Sequence, residues 1–188
     1  IMSVNRRDLL AVVAAGGGAT LASPALAQQR PLYQWRMAAA WPRNLLGPAT
    51  SARRLAKRIE TLSEGRVAIE VFSAGEIVPA FSVFDAVSVG TVELGHTASF
   101  FSAGKIPASV FFTSIPFGLS PLGHLAWLEA GNGQILWDAL YDEFAVKPFI
   151  GGNTSASLGG WFRKQLHSID DLKGLRLRVT GIGGEIYR

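Results

Sequence analysis

The 188-residue sequence has no cysteine, few charged side chains (17%) and only scattered cationic residues despite a formal charge of +4. Without cysteine there is no disulfide framework, no zinc knuckle and no thiol nucleophile, which suits an oxidising compartment and leaves thiol redox chemistry without a foothold. Lys and Arg occur as short pairs, Arg53-Arg54 and Arg163-Lys164, not as a run. That pattern is a solvated surface, not a nucleic-acid footprint. The 48% hydrophobic content excludes disorder, and its frequent interruption excludes a multi-span membrane protein.

Catalytic constellations are missing as well. His96, His124 and His167 are far apart, and none has a second histidine three or four residues away, so no metal triad is expected. There is no Gly-x-Ser-x-Gly elbow, no phosphate-binding Gly-x-x-x-x-Gly-Lys loop and no Gly-x-Gly-x-x-Gly opening a helix; Gly181-Ile182-Gly183-Gly184 is too weak to count as one. The neighbouring carboxylates Asp170-Asp171 precede an extended stretch, where Asp side chains bond the nearby backbone in turns. The sequence gives no reason to expect an enzyme.

What is present begins with an address. Residues 1–27 place Arg6-Arg7 before a modest apolar, Gly-rich stretch, and Ala25-Leu26-Ala27 then supplies a small-x-small cleavage site. The apolar part falls short of the roughly 18 to 20 residues that cross a bilayer. A cleaved export signal of twin-arginine type is expected.

After residue 27 the sequence alternates. Strand-like 32–40 leads to helical spacing of Ala52, Leu55, Ala56, Ile59 and Leu62; strand-like 66–72 leads to a helix over 79–89, and 92–98 reads as a third strand. This rhythm predicts a parallel α/β sheet with crossover helices. Further strands are expected at 110–115, 147–151, 158–164 and 175–179, making seven, with helices over 121–129 and 133–144. Gly151-Gly152-Asn153 reads as a hinge. The expected organisation is a first α/β lobe over 28–150 and the start of a second over 151–188.

The positive evidence concerns binding. Alternation in Leu175-Arg176-Leu177-Arg178-Val179 puts both arginines on one face, where a guanidinium fork can grip a carboxylate; a solvated edge strand explains them equally well. Phe100, Phe101, Trp161 and Phe162 can wall a cleft or fill a core. Asn153 can orient a ligand at the lobe junction or simply make a turn.

Taken together, Ala74-Gly75-Glu76, Val78-Pro79-Ala80-Phe81, Phe84-Asp85-Ala86-Val87, the 90–96 block Gly-Thr-Val-Glu-Leu-Gly-His and Pro116-Phe117-Gly118-Leu119 form a pattern that continues in Gly151-Gly152-Asn153-Thr154, Gly159-Gly160-Trp161-Phe162-Arg163-Lys164 and the 171–178 block Asp-Leu-Lys-Gly-Leu-Arg-Leu-Arg. This pattern resembles the DctP-type solute receptors of tripartite ATP-independent periplasmic (TRAP) transporters, in the branch associated with 2-oxo acids. The resemblance implies a two-lobe periplasmic-binding-protein-like fold with its second lobe incomplete in this sequence. It also implies a periplasmic location, a small organic anion as ligand, and small and large membrane subunits as partners. By the same resemblance Arg178 clamps the ligand carboxylate and Arg176 has no such role. A cation beside the substrate is implied too, held by a Gln where this sequence has Ser157 and by a Glu-Trp pair falling beyond Arg188. An exported α/β enzyme fragment and a sensory ligand-binding module are the competing readings.

Overall fold

The computed structural model describes residues 31–113, 115–155, 160–179 and 182–186. The expected export signal at 1–27 and the candidate site residue Ser157 lie outside the described residues.

Three strands form one parallel sheet: β1 (Tyr33–Ala39), β2 (Val67–Phe72) and β3 (Leu94–His96), in the order β2-β1-β3. The register pairs Tyr33 with Val67 through Ala38 with Phe72 on one side, and Met37 with Leu94 through Ala39 with His96 on the other. Parallel neighbours cannot be joined by a tight turn, so each connection carries a helix. Between β1 and β2 runs α1 (Pro48–Leu62), started by Pro48 and burying Ala49, Ala52 and Ala56 on one face. Between β2 and β3, a 3₁₀ turn (Ala80–Ser82) feeds α2 (Val83–Ser88) where a single helix over 79–89 is expected from sequence. β1 is the central strand, and its Met37, Ala38 and Ala39 are buried.

Small residues let α2 come close. A Cβ added to Gly95 would lie 2.9 Å from both Val83 Cγ1 and Val87 Cγ2, so β3 needs glycine where the helix crosses it. α2 also divides the core. Its Val83 and Ala86 join Ala38, Ala40 and Val92 beneath the sheet, while Phe84 joins Ile106, Phe112, Leu128, Trp137 and Tyr141. This second cluster is closed by α3 (Pro121–Ala130) and α4 (Gly133–Asp142), with Phe112 stacked on Trp137 at 5.3 Å and on Trp127 at 5.6 Å.

Four expected strands do not form among the described residues. At 110–115 the chain is instead in a 3₁₀ helix (Pro107–Phe112) begun by Pro107, with Ser109, Val110 and Phe112 buried. A short apolar run bounded by turns has no periodicity that separates these outcomes. At 147–151 the carbonyls are met by side chains rather than a ladder: Gln134 Nε2 donates to the Pro148 carbonyl at 2.9 Å and Ser51 Oγ to that of Gly151 at 2.9 Å. At 160–164 and 175–179 the chain is irregular, with no neighbouring strand among the described residues to pair with it. A last short helix, α5, spans Ile182–Ile186.

The open edge of β1 beside β3 is finished by a side chain. Glu93 Oε2 accepts from the Arg36 backbone N–H at 2.7 Å, and its Oε1 takes Arg36 Nη2 at 3.2 Å, so a carboxylate extends the pairing one residue before β3 begins. Those hydrogen bonds, the backbone one first, lower the Glu93 pKa from 4.5 to about 2.

Two outcomes follow from this packing. Gly95→Ala should destabilise the chain by roughly 1–3 kcal/mol through overpacking against α2, measured by urea unfolding; an unchanged midpoint would show that α2 is free to move away. Because the folded pKa of Glu93 is depressed, its contribution is present above about pH 4.5 and lost as pH falls through about 2. The stability gap between the native chain and Glu93→Gln should therefore be constant at neutral pH and shrink over that acid window.

Candidate ligand site at the carboxyl ends of the strands

In an open parallel sheet, connections leave the carboxyl ends of neighbouring strands in opposite directions at one point, and ligands bind in the crevice this opens. With strand order β2-β1-β3, that point lies between β1 and β3. The residues that follow those two strands are Ala40-Trp41 and Thr97 to Ser102.

The crevice floor is stitched together. Ala40 N–H donates to the His96 carbonyl at 2.9 Å, and Ala74 N–H donates to the Trp41 carbonyl at 3.0 Å, so Trp41 is tied to the ends of both outer strands. Its indole Nε1–H donates to His96 Nδ1 at 2.8 Å. From there an aromatic row runs outward: Trp41 to Phe101 at 5.7 Å, Phe101 to Phe81 at 4.9 Å and Phe101 to Phe100 at 4.6 Å. The last two pairs are edge-to-face, the arrangement favoured by ring quadrupoles. Phe81 is 70% exposed at the outer end of the row.

The rim is ionic. Arg43, in the loop after β1, pairs with Glu76 after β2. Glu76 also accepts from the Ser73 backbone N–H at 2.7 Å, and the Arg43 hydrogen bond followed by that of Ser73 holds its carboxyl below the usual range. Burial lowers the His96 pKa, with the Gly151 backbone acting in the opposite sense.

The sequence candidates separate. Phe100 and Phe101 stand in the crevice wall, half-buried, and Phe101 also packs on the cluster beneath the sheet, so core packing accounts for Phe101 in part. Asn153 lies two residues after Gly151, which the crevice floor holds; its Oδ1 accepts from the Ser155 backbone N–H at 2.6 Å, so turn chemistry occupies that oxygen. Trp161 is 91% exposed and joins no aromatic pair among the described residues, so it does not wall this crevice. Its expected place depended on a strand at 158–164, and 160–164 is irregular. Around Arg178 the in-out alternation survives without a ladder: Leu175 and Leu177 are half-buried, Arg176 and Arg178 exposed. Among the described residues Arg178 makes no ion pair.

Asp171 behaves as the turn residue expected from sequence. Its Oδ2 accepts from the backbone N–H groups of His167 at 2.8 Å and Ser168 at 3.0 Å, which lowers its pKa and closes a capping box. Trp41, Phe81, His96 and Ser51 were not singled out as site residues by the sequence. The available signal was position: Trp41 and His96 directly end two parallel strands.

Among the described residues no three His, Asp or Glu side chains converge on a metal site, and no helix is long and apolar enough to cross a membrane. An open groove lined by Gln34, Trp35, Arg36, Ala68 and Glu70 lies over the first half of β1 and β2, away from the crevice. Among the described residues the crevice offers ring faces and backbone groups.

In comparison with known proteins, residues 46–188 match the family described as bacterial extracellular solute-binding protein, family 7. A monocarboxylate 2-oxoacid-binding periplasmic protein of Nostoc sp. strain PCC 7120 is 46% identical over 83% of this chain and 43% of its own length. The TRAP transporter solute-binding protein of Bordetella bronchiseptica RB50, solved with copurified calcium and picolinate, is 39% identical with a TM-score of 0.79, over 84% of this chain and 47% of that one. The one from Pseudoalteromonas atlantica T6c, with bound sodium and pyruvate, is 37% identical with a TM-score of 0.78, over 82% and 47%. The chain spans less than half the length of each. Because the matched family consists of solute-binding proteins, the enzyme-fragment reading is set aside.

The bond between Trp41 and His96 predicts a measurable cost. Trp41→Phe keeps a ring in the row but leaves His96 Nδ1 without its donor, and should cost about 1–3 kcal/mol in urea unfolding. A cost near zero would mean that water replaces the indole and that the floor is wet.

Proposed function

The chain belongs to the bacterial extracellular solute-binding proteins of family 7, and from that premise we propose that it supplies the sheet lobe of a periplasmic receptor. The receptor captures a small organic carboxylate, 2-oxo acids among them, and delivers it to the small and large membrane subunits of a TRAP transporter. The observation that carries the reading is the aromatic crevice at the carboxyl ends of β1 and β3, walled by Trp41, Phe81, Phe100 and Phe101. Relatives described as binding a 2-oxo acid, pyruvate and picolinate support the ligand class.

In this reading residues 1–27 direct export to the periplasm, 28–150 form the first lobe and 151–188 begin the second. The ligand's apolar part lies on the ring faces while its carboxylate meets Arg178, whose planar fork donates two parallel hydrogen bonds and stays charged at any physiological pH. Hinge closure around residues 151–153 brings the two together, and expelling water strengthens the ion pair by lowering the local dielectric. Asn153 orients the ligand at the junction. Calcium or sodium accompanies the ligand in two solved relatives; no three His, Asp or Glu side chains converge among the described residues, and no step is assigned to a cation.

A thermal-shift screen of small carboxylates, including pyruvate and longer 2-oxo acids, tests the reading on the chain alone and on the chain joined to any reading frame that continues it. A carboxylate-specific rise in melting temperature is expected, because a ligand stabilises the state it binds. Arg178→Ala should weaken binding by roughly ten- to a hundredfold, about 1.5–3 kcal/mol for hydrogen bonds to a charged group. No response in either version, or an undiminished response in Arg178→Ala, would overturn the carboxylate clamp.

A further inference from the structure

Beneath the aromatic row, His96 and Gly151 meet in a way that ligand capture does not account for. His96 Nδ1 accepts the Trp41 indole N–H at 2.8 Å. In the neutral ring the proton therefore sits on Nε2. That Nε2 is buried and meets no acceptor at good hydrogen-bond geometry, although the Gly151 backbone lies close enough to oppose the effect of burial on the ring. Nε2 faces the backbone of Gly151: a Cβ added there would lie 3.1 Å from Nε2 and 3.3 Å from Cδ2. From the other side, Ser51 Oγ in the first turn of α1 donates to the Gly151 carbonyl at 2.9 Å. A carbonyl oxygen has two lone pairs, and Ser51 uses one. Ser51 also crowds the next residue, since a Cβ on Gly152 would lie 3.0 Å from its Oγ.

A buried donor without an acceptor is destabilising, so the arrangement needs a partner for Nε2–H. The Gly151 backbone acts on the ring as a hydrogen-bonding group, and its carbonyl keeps a second lone pair beside the one Ser51 uses.

We infer that His96, as the Nε2–H tautomer, is a positioning residue that clamps the Gly151 backbone together with Ser51, and so sets where residues 151–155 cross the carboxyl end of the sheet. Asn153 and the whole segment leading to Arg178 follow from that crossing point. The clamp itself stands on the geometry; its meaning for ligand capture rests on the receptor reading given above.

The clamp requires a neutral ring. Adding a proton to Nδ1 sets an N–H against the Trp41 indole N–H, and the bond that fixes the ring plane is lost. The groups facing the imidazole are Trp41 at the end of β1 and the Gly151 backbone, with Ser51 of α1 behind it, all uncharged. No carboxylate or cation bonds the ring among the described residues. Burial holds the His96 pKa below its usual 6.5. The clamp is therefore fully present above about pH 6.5 and is lost as pH falls through the lower folded value.

The test is nuclear magnetic resonance on the chain, with ¹⁵N-labelled imidazole and backbone. The imidazole spectrum should place the neutral proton on Nε2. Backbone order parameters at 151–155 should fall from about 0.85 towards 0.6 or below as His96 titrates, while those of Met37–Ala39 in β1 stay rigid. His96→Asn, whose side-chain oxygen can still accept from Trp41, should loosen 151–155 at neutral pH and remove the pH step. Ser51→Ala should loosen the segment at every pH and keep the step. An Nδ1–H tautomer, or a His96 titration that leaves 151–155 unmoved, overturns the inference in the unaltered chain, whatever the variants do. A failed carboxylate screen leaves these readouts unchanged, so the two failures are distinct.

Discussion

A parallel strand pair has its next strand start at the far end of the sheet, and the arrangement around β1 and β3 descends from that constraint. Each return trip needs a crossover, and the crossover helices must pack on the sheet to bury their apolar faces. The sequence meets the demand with small residues: alanines at 38–40 in the central strand, Ala49, Ala52 and Ala56 on α1, and Gly95 under α2. Larger side chains there would hold the helices away and leave β1 half-covered. With β1 central, its crossover leads away from β3 to β2, and the gap between the carboxyl ends of β1 and β3 is a by-product of topology.

What turns a crevice into a binding surface is how its polar groups are used. Trp41 and His96 satisfy each other across the gap, and backbone bonds from Ala40 and Ala74 lock both to the strands. The ring faces are thereby left as the exposed chemistry, with Phe101 in contact with Trp41, Phe81 and Phe100. The ionic groups, Arg43 and Glu76, stay at the rim, where solvent screens them and their pairing mainly shapes a loop. In the receptor reading proposed above, such a surface takes the apolar part of the ligand and leaves its charge to Arg178.

Much of residues 31–100 was readable from sequence because periodicity and punctuation agree there. The strand at 33–39, the amphipathic α1 and the strand at 67–72 have the spacing their elements require, and Pro48, Gly65 and Gly90 mark their limits. Beyond residue 100 the signals conflict. In the apolar run that begins at 110, Val110 and Phe112 are buried while Phe111 is exposed, a pattern that a 3₁₀ helix accommodates as well as a strand. The stretches at 147–151 and 175–179 have strand composition, but a strand is defined by its neighbour, and composition does not reveal whether one is there. In the site, Phe100 and Phe101 were legible as an aromatic pair. His96 and Ser51 were not, because their meaning comes from Gly151, which is 55 and 100 residues away in sequence.

That separation is itself informative. Ser51 sits on the first crossover and His96 at the end of the third strand, yet both address one peptide unit at the boundary between the expected lobes. Glycine at 151 is what lets the imidazole approach, since any side chain there would meet Nε2 or Cδ2 at about van der Waals contact or closer. A hinge that is merely flexible needs glycines and nothing else. A hinge with a defined resting position needs glycines together with fixed groups to lean on, and at Gly151 two such groups come from different elements, Ser51 from α1 and His96 from β3. By the proposed clamp, the strands that carry the aromatic row also fix where residues 151–155 cross the end of the sheet.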